Sequence, residues 1–549
     1  MSDSEIVYSD DISEQYEQLK LDPWTDRLKK SREELAYDPA RPLYHFSSPE
    51  NVMNDANGLS HWQGKYHLFY QFVPSELPPA ERELVRQQAH MDRNVLWGHT
   101  VSDDLIHWSD LPPALYPTTE VDCFSGQSLV EDDRVIAIYH GTHSGNALAT
   151  SSDPLLLNWE KHPDNPVITG EMLENGDVEI PSHSVKAIDT GGRPVRIFDP
   201  CIWKEDDGYY ALSGAYWKGK YGGDVRGFDA TGVDHIFRSE DLSSWDYVGP
   251  LFDDGFFQEP GEDCAVPNFW PIGNGKHMLL LFSHKRGGRY YLGNYDKDTH
   301  KFTPESHGRM CYGAYNNASL HAPSATVDAA GRYLGVFNTK EGWPGNAWRD
   351  TMTLTRHYWL ADDNSLRQAP AGDVESLRFN HERFTNITID ANQEIVIPTD
   401  GGKAIELQIT IDPKNAREVG FSVLRSGNAE EQTKISFLRQ YGGRVEIPDL
   451  LQIDISESSL NEDVYGRPAE IGPLELGNDE KLHLRVFVDR SIIEVFANEK
   501  QCLTVRVNPE REDSRGISFY SRGSSSELIQ LDMWQMKSIW PELKQFEGK

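Results

Sequence analysis

Between about residue 43 and residue 360 the chain repeats one local pattern five times. A polar turn is followed by a short apolar strand, a glycine-containing turn and a second apolar strand. The copies read GLSHWQGKYHLFYQF near 58, QSLVEDDRVIAIYHG near 127, PCIWKEDDGYYALSG near 200, PNFWPIGNGKHMLLLFSH near 267 and PSATVDAAGRYLGVF near 323. Their starts lie roughly 55 to 75 residues apart, a repeat long enough for a small antiparallel sheet plus loops. One such unit cannot bury its apolar face alone, whereas radial repetition covers the faces and leaves only short, protected edges. The pattern therefore predicts a five-bladed β-propeller over residues 43–360. The stretch Ser75 to Arg93, SELPPAERELVRQQAHMDR, is charged and helical in character and reads as an insertion into this β-rich region.

The flanks differ from the repeat. Residues 1–42 read as a polar, partly helical arm with helical stretches over 14–20 and 25–37, stopped by Pro39 and Pro42. Residues 361–384 are polar, contain Pro370 and Gly372, and read as a linker. From residue 385 to 549 short alternating runs return. AIELQITID places Ile405, Leu407, Ile409 and Ile411 on one face, the period of a half-buried strand. Similar runs at 418–425, 450–455, 482–489, 491–497 and 516–521 predict a β-sandwich. The chain is thus expected to be all-β, a propeller followed by a C-terminal sandwich; at 549 residues it is too long for one ordinary core.

Charge and cysteine usage narrow the function. The net charge of −34 disfavours binding to nucleic acid and to anionic membrane surfaces, and fits a neutral small-molecule substrate. No run of eighteen apolar residues occurs, and the acidic start MSDSEIVYSDDISEQYEQLK lacks the basic and apolar regions of a secretory leader. Cys123, Cys201, Cys264, Cys311 and Cys502 are scattered, odd in number and form no CxxC pair, which suggests reduced thiols and no zinc site. Cytoplasmic localisation is the expectation. The arm, the 75–93 insertion and the sandwich are the surfaces through which a homo-oligomer would form.

A propeller gathers the first strands of its blades around one axis, so acids at those strand entrances converge. Asp55 precedes the first repeat's apolar run, Asp199 the third's and Glu262 the fourth's. Asp55 lies in Asn54-Asp55-Ala56-Asn57-Gly58, which reads as a tight turn. Carboxylates grouped this way suit glycoside hydrolysis, in which one attacks or activates water and another protonates the leaving oxygen. A separation of about 5–5.5 Å goes with retention and about 6.5–9.5 Å with inversion. Asn54, Gln71, Trp97, Phe124, Ser125, Trp343 and Trp348 are the neighbouring candidates for hydroxyl bonding and sugar stacking.

Beyond this reading, NDANG at 54–58 resembles the NDPNG motif of glycoside hydrolase family 32, the invertase, levanase and inulinase family. In the family's order, YQF at 70–72, WGHTVSDDLIHW at 97–108, FSGQS at 124–128, FDP at 198–200, EDC at 262–264, WRDTMTLTR at 348–356 and LRVFVDRSIIEVFAN at 484–498 also resemble its blocks. The resemblance implies Asp55 as nucleophile, Glu262 as general acid/base and Asp199 as the aspartate that binds fructose hydroxyls and stabilises the transition state. It also implies that Asn54, Gln71, Trp97, Phe124 and Ser125 line the fructose subsite, and that no cofactor is needed. Three positions depart from the pattern. Ala56 stands where the motif has Pro, Phe198 where it has Arg, and Asp263 separates Glu262 from Cys264.

What the resemblance implies about activity is release of terminal β-D-fructofuranosyl residues from sucrose or short fructo-oligosaccharides, through a covalent fructosyl-enzyme with retention. A fructosyltransferase shares that intermediate and is the second expectation. A sugar-binding protein that has lost catalysis is the third, because a fold can persist while its site changes.

Overall fold

The computed structural model describes residues 6–75, 95–142, 144–169, 195–217, 231–252, 264–284, 286–313, 320–341, 347–439, 448–477 and 479–548. Glu262, Asp263, Trp343 and residues 76–93 of the insertion lie outside these. Tertiary packing divides the chain into two units. The first comprises 1–31, 48–309 and 321–338; the second comprises 32–47, 310–320 and 339–549.

The described residues are all-β apart from two short helices in the arm and two short 3₁₀-helices, and the chain forms a five-bladed propeller followed by a β-sandwich. Blades II, III and IV are each a four-stranded antiparallel sheet in sequence order, and the first four strands of blade I, whose sheet has five, follow the same order. Blade I begins with the strands Asn51–Trp62 and Lys65–Val73, and blade II with Cys123–Val130 and Val135–Gly141. Blade III begins with Val195–Glu205 and Gly208–Trp217, and blade IV with Ala265–Gly273 and Lys276–Ser283. Blade V opens with Leu320–Val327 and Tyr333–Thr339. These pairs are the five repeats visible in the sequence. Two-residue turns with both residues at positive φ close the first and fourth pairs, at Gln63-Gly64 (46° and 81°) and Asn274-Gly275 (50° and 71°). Such turns match the twist of the strands they join.

Polar side chains tie inner strands together. Ser324 of blade V accepts from the Leu59 amide of blade I (2.9 Å) and donates to Gln127 of blade II (2.8 Å). Asn268 of blade IV accepts from the Ala325 amide of blade V at 2.7 Å. All three side chains are fully buried, so these bonds satisfy groups that burial would otherwise leave costly.

The arm helices, Ile12–Leu19 and Pro23–Glu34, start where side chains cap them. Asp11 accepts from the Ser13 and Glu14 amides, and Asp22, just ahead of Pro23, accepts from those of Trp24 and Thr25. The arm's first part is pinned to its own unit. Gln15, fully buried, donates to Asp153 at 2.6 Å and accepts from the Leu155 amide at 3.1 Å. Tyr8 and Asn158 exchange two hydrogen bonds. Gln15→Leu leaves the buried Asp153 carboxylate and the Leu155 amide short of a partner. It is expected to cost about 1–3 kcal/mol, read as a lower urea midpoint; an unchanged midpoint would show that the arm's docking adds nothing to stability.

The second unit holds two six-stranded antiparallel sheets. In one, Ala404–Asp412 lies between Ser526–Met536 and Leu482–Asp489; in the other, Glu418–Arg425 lies between Gly516–Arg522 and Thr433–Leu438. Ile405, Leu407, Ile409 and Ile411 are buried in one core with Val419, Phe421, Ile435 and Phe519, as the alternation predicts. The stretch read as a linker carries regular structure. Leu366–Pro370 pairs with Arg356–Leu360, Val374–Leu377 is a 3₁₀ turn, and the edge strand Arg378–Ile389 begins within it. That edge strand is mostly solvent-facing, so no buried face marks it in the sequence.

A charged cluster is buried in the second unit. The Asp489 carboxylate accepts from the backbone amides of Leu43 (2.7 Å), Tyr44 (2.8 Å) and His45 (2.9 Å) and pairs with His45 Nδ1 at 2.9 Å. His45 Nε2 lies 3.3 Å from Glu494, which also pairs with Arg356 at 2.8 Å and accepts from the Leu354 amide at 2.7 Å and from Thr504 at 2.9 Å. Burial alone would neutralise the imidazole, but Asp489 and Glu494 outweigh it and hold His45 above its ordinary range. Burial likewise pushes the Glu494 carboxyl up, yet Arg356 and His45 hold it down at about 2.

Candidate active site

Asn54-Asp55-Ala56-Asn57-Gly58 is not a tight turn. It lies inside the strand Asn51–Trp62, which is broken twice by register shifts against its neighbour. Met53 faces Phe72 and Ala56 faces Tyr70, so Asn54 and Asp55 together oppose the single residue Gln71. This is a β-bulge, a device that re-aims side chains. A second shift follows between Asn57 and Ser60. It contains Gly58 at φ 51°, where an added Cβ would stand 2.6 Å from Ser128 Oγ.

The same device recurs at the same place in blades II, III and IV. Cys123 faces Gly141 and Gly126 faces Tyr139, so Phe124 and Ser125 oppose His140. In blade III, Pro200 faces Ser213 and Phe198 faces Gly214, leaving Asp199 as the extra residue. In blade IV, Ala265 faces Phe282 and Asn268 faces Leu280, with Val266 and Pro267 opposing Leu281. Most of the described residues expected at the site therefore sit on bulges of inner strands.

The bulges bring these side chains into a connected network. Ser125 Oγ donates to Asp55 Oδ2 at 2.5 Å, and Gln71 Nε2 donates to the same oxygen at 3.1 Å and to Ser125 Oγ at 2.7 Å. Asn54 Nδ2 donates to Gln71 Oε1 at 2.8 Å, fixing that amide's orientation. Asp55 is 7% exposed, Gln71 5% and Ser125 1%, so the carboxylate is held nearly out of water. Beside Ser125, the Phe124 ring meets the His140 ring at 6.1 Å between centroids and 70° between planes. His140 Nδ1 in turn lies 3.6 Å from Asp199 Oδ1. A chain of contacts thus runs from Asp55 through blade II to Asp199. Asp199 Oδ2 accepts from the Val266 amide at 3.2 Å. Val266 is held at φ 50°, a conformation that β-branched residues rarely adopt. Such strain, of order 1–3 kcal/mol, collects at functional sites.

Several expected site residues take other roles. Trp97 is fully buried; its ring stacks on Phe69 at 5.6 Å and its Nε1 donates to the Phe124 carbonyl at 2.8 Å. It supports the strand that carries Phe124 and Ser125 and presents no face to a sugar. Trp348 is buried in the second unit, where its Nε1 donates to Asp38 at 2.8 Å. Phe198 packs where a Cβ on Gly214 would stand, 2.5 Å from its Cζ, and acts as a packing residue. Glu262 and Trp343 lie outside the described residues.

Two histidines were missed. His321, the second residue of blade V's inner strand, places Nδ1 3.2 Å from Asp55 Oδ1. His140 occupies in blade II the place that Gln71 occupies in blade I. The signal for His140 was present in the repeats, whose copies end Tyr70-Gln71 and Tyr139-His140. Among the described residues, no group of three His, Cys, Asp or Glu is placed to hold a metal ion.

A propeller whose inner-strand bulges hold buried, hydrogen-bonded carboxylates suits the chemistry of a glycoside hydrolase. The comparisons agree. The N-terminal domain model of glycosyl hydrolases family 32 matches residues 45–370, and the family's C-terminal model matches 373–535. The chain belongs to glycosyl hydrolases family 32. It is 27% identical to a levanase of Bacillus subtilis over 548 residues, covering 91% of this chain and 71% of the relative. It is 26% identical to a fructan 6-exohydrolase of Beta vulgaris, covering 91% and 87%. The crystal structure of fructan 1-exohydrolase IIa from Cichorium intybus superposes with a TM-score of 0.75 at 22% identity, over 91% of this chain and 98% of that one.

Proposed function

We propose that this protein is an exo-acting β-fructosidase that releases terminal fructofuranosyl units from sucrose or short fructo-oligosaccharides with retention of configuration. The observation that carries the reading is the Asp55 carboxylate, nearly out of water, with Ser125 and Gln71 converging on one of its oxygens. A carboxylate fixed in this way is suited to in-line attack on an anomeric carbon, because little reorientation remains to be done in the transition state. In the proposed reaction Asp55 forms a bond to C2 of the fructosyl unit as the bond from C2 to the leaving oxygen breaks. Glu262 gives its proton to that oxygen. Water then attacks C2 with Glu262 as base, freeing Asp55. Asp199, oriented by the Val266 amide and beside His140, binds fructose hydroxyls and carries negative charge toward the oxocarbenium-like centre. The names of the relatives, a levanase and fructan exohydrolases, support hydrolysis of fructosyl linkages. The five buried cysteines fit action in a reducing, cytoplasmic setting.

Proton NMR during the first minutes of turnover on sucrose and 1-kestose tests the reading. The first fructofuranose to appear is expected to be the β anomer, with no other monosaccharide cleaved from the non-reducing end. Initial appearance of the α anomer would sink the double-displacement reading, and growth of longer oligofructans in place of free fructose would point to transfer.

A further inference from the structure

His140 of blade II and Asp199 of blade III face each other across a short gap. Asp199 Oδ1 stands 3.6 Å from His140 Nδ1, too far for a direct hydrogen bond. Among the described residues Nδ1 has no hydrogen-bond partner, although His140 is only 6% exposed. The other carboxylate oxygen, Oδ2, accepts from the Val266 amide at 3.2 Å. Bonded neighbours set the width of the gap. His140 faces Asn146 on the adjoining strand, Gly145–Ser151. Asn146 Nδ2 donates to Ser213 Oγ at 2.9 Å, and Ser213 Oγ donates to the Phe198 carbonyl at 2.6 Å. Asn146 and Ser213 are fully buried. Blade II is thereby tied to blade III at the residue that precedes Asp199, while the Phe124 ring meets the imidazole edge-on.

Two polar atoms at this separation can both bond to one oxygen placed between them. A hydroxyl fits that place, because its oxygen accepts from an N–H while its hydrogen goes to a carboxylate oxygen. The carboxylate also selects the tautomer. With a bare Nδ1, two acceptors would flank a hydroxyl that has a single hydrogen, so Nδ1 carries a proton. We propose that His140 and Asp199 together hold one hydroxyl of the fructosyl unit, the imidazole donating to its oxygen and the carboxylate accepting its hydrogen. The inference rests on the reading of Asp199 as the residue that binds fructose hydroxyls. It makes His140 a substrate-binding residue that helps to set which sugar is accepted. A sugar lacking that hydroxyl leaves a buried carboxylate and a buried N–H unpaired, which is costly.

The test compares the full chain with His140→Leu and His140→Asn, each with its melting temperature recorded. Leu and Asn have the same shape, and Asn keeps an N–H donor near the place of Nδ1. Substrates are sucrose and the set of sucrose analogues that each lack one hydroxyl of the fructosyl unit. The parent is expected to favour sucrose by about 100-fold or more in kcat/KM over the analogue missing the shared hydroxyl. His140→Leu is expected to lose about 10- to 100-fold in kcat/KM on sucrose and to narrow that one preference about tenfold, with the others unchanged. His140→Asn is expected to restore most of both. The preference is a ratio within one enzyme, so it is read independently of how much of a variant is folded. The inference is overturned if His140→Leu keeps the parent's preference against every analogue, which would leave the pair bridging water only. It is also overturned if Asn restores nothing over Leu, or if the parent accepts every analogue as well as sucrose. If the parent releases no fructose from sucrose or 1-kestose, the functional reading fails and this inference with it.

Discussion

Asp55→Asn is expected to lower kcat on sucrose and 1-kestose by a factor on the order of 10⁴ or more, the scale seen when the nucleophile of a covalent mechanism is removed. The substitution is nearly isosteric. Its side-chain oxygen still accepts from Ser125 and Gln71, so the bulge of blade I has no reason to rearrange. What is lost is the negative charge and the lone pair that forms the bond to C2. The melting temperature should stay within a few degrees of the parent's, and KM should change far less than kcat, because the fructose contacts remain. The same change at Asp199 is expected to cost less, about 10²- to 10³-fold, since a group that stabilises charge is removed without blocking a covalent step. Retention of more than about a tenth of the parent's turnover by Asp55→Asn would exclude a covalent role for this residue, on the rate scale that such a role implies.

Arg356→Leu is expected to destabilise the second unit by about 3–5 kcal/mol, because it leaves the fully buried Glu494 carboxylate without its guanidinium partner. Differential scanning calorimetry should show a fall in the unit's transition on the order of 10 °C. The cluster also dictates a pH dependence. Glu494 titrates at about 2 in the folded protein against an ordinary 4.5, so its contribution is present above about 4.5 and is lost as pH falls toward 2. His45 is shifted the other way, above its ordinary 6.5. Its contribution is complete below about 6.5 and is lost as pH rises through the folded value. Stability of this unit should therefore peak between about pH 4.5 and 6.5 and decline on both sides. His45→Gln is expected to lower that peak and to flatten the alkaline decline selectively. A parent melting temperature that does not fall above neutrality would contradict the assignment of a charged His45 between Asp489 and Glu494.

The positions of Asp489 and Glu494 show how unevenly this molecule is written in its sequence. Both lie in LRVFVDRSIIEVFAN, which was legible as two β-prone runs flanking a short turn. That Asp489 gathers three amides and an imidazole from residues 43–45 was not legible, because those partners lie more than four hundred positions away. Trp97 gives the converse case. Its sequence block suggested a sugar-facing aromatic, and packing against Phe69 placed it beneath the strand instead. A tryptophan's type says that it buries a large area and seeks one acceptor, not which side of a strand it will take.

Residue types, their order and their period were enough to determine a propeller of five repeats, a sandwich built on Ile405, Leu407, Ile409 and Ile411, and that the first and third inner strands each carry an acid, though within the strand and not at its entrance. These are local properties. Side chains alternate along a strand with period two, and turns are marked by the few residues that tolerate them. The tertiary structure alone decided the bulges at Asn54-Asp55, Phe124-Ser125, Asp199 and Val266, and through them which side chains meet. A bulge displaces the register by one residue, and where it falls is settled by cross-strand packing that no single segment encodes. The approach of His321 to Asp55 is of the same kind. It exists because the radial arrangement brings blade V back beside blade I, closing a distance that the linear sequence leaves open.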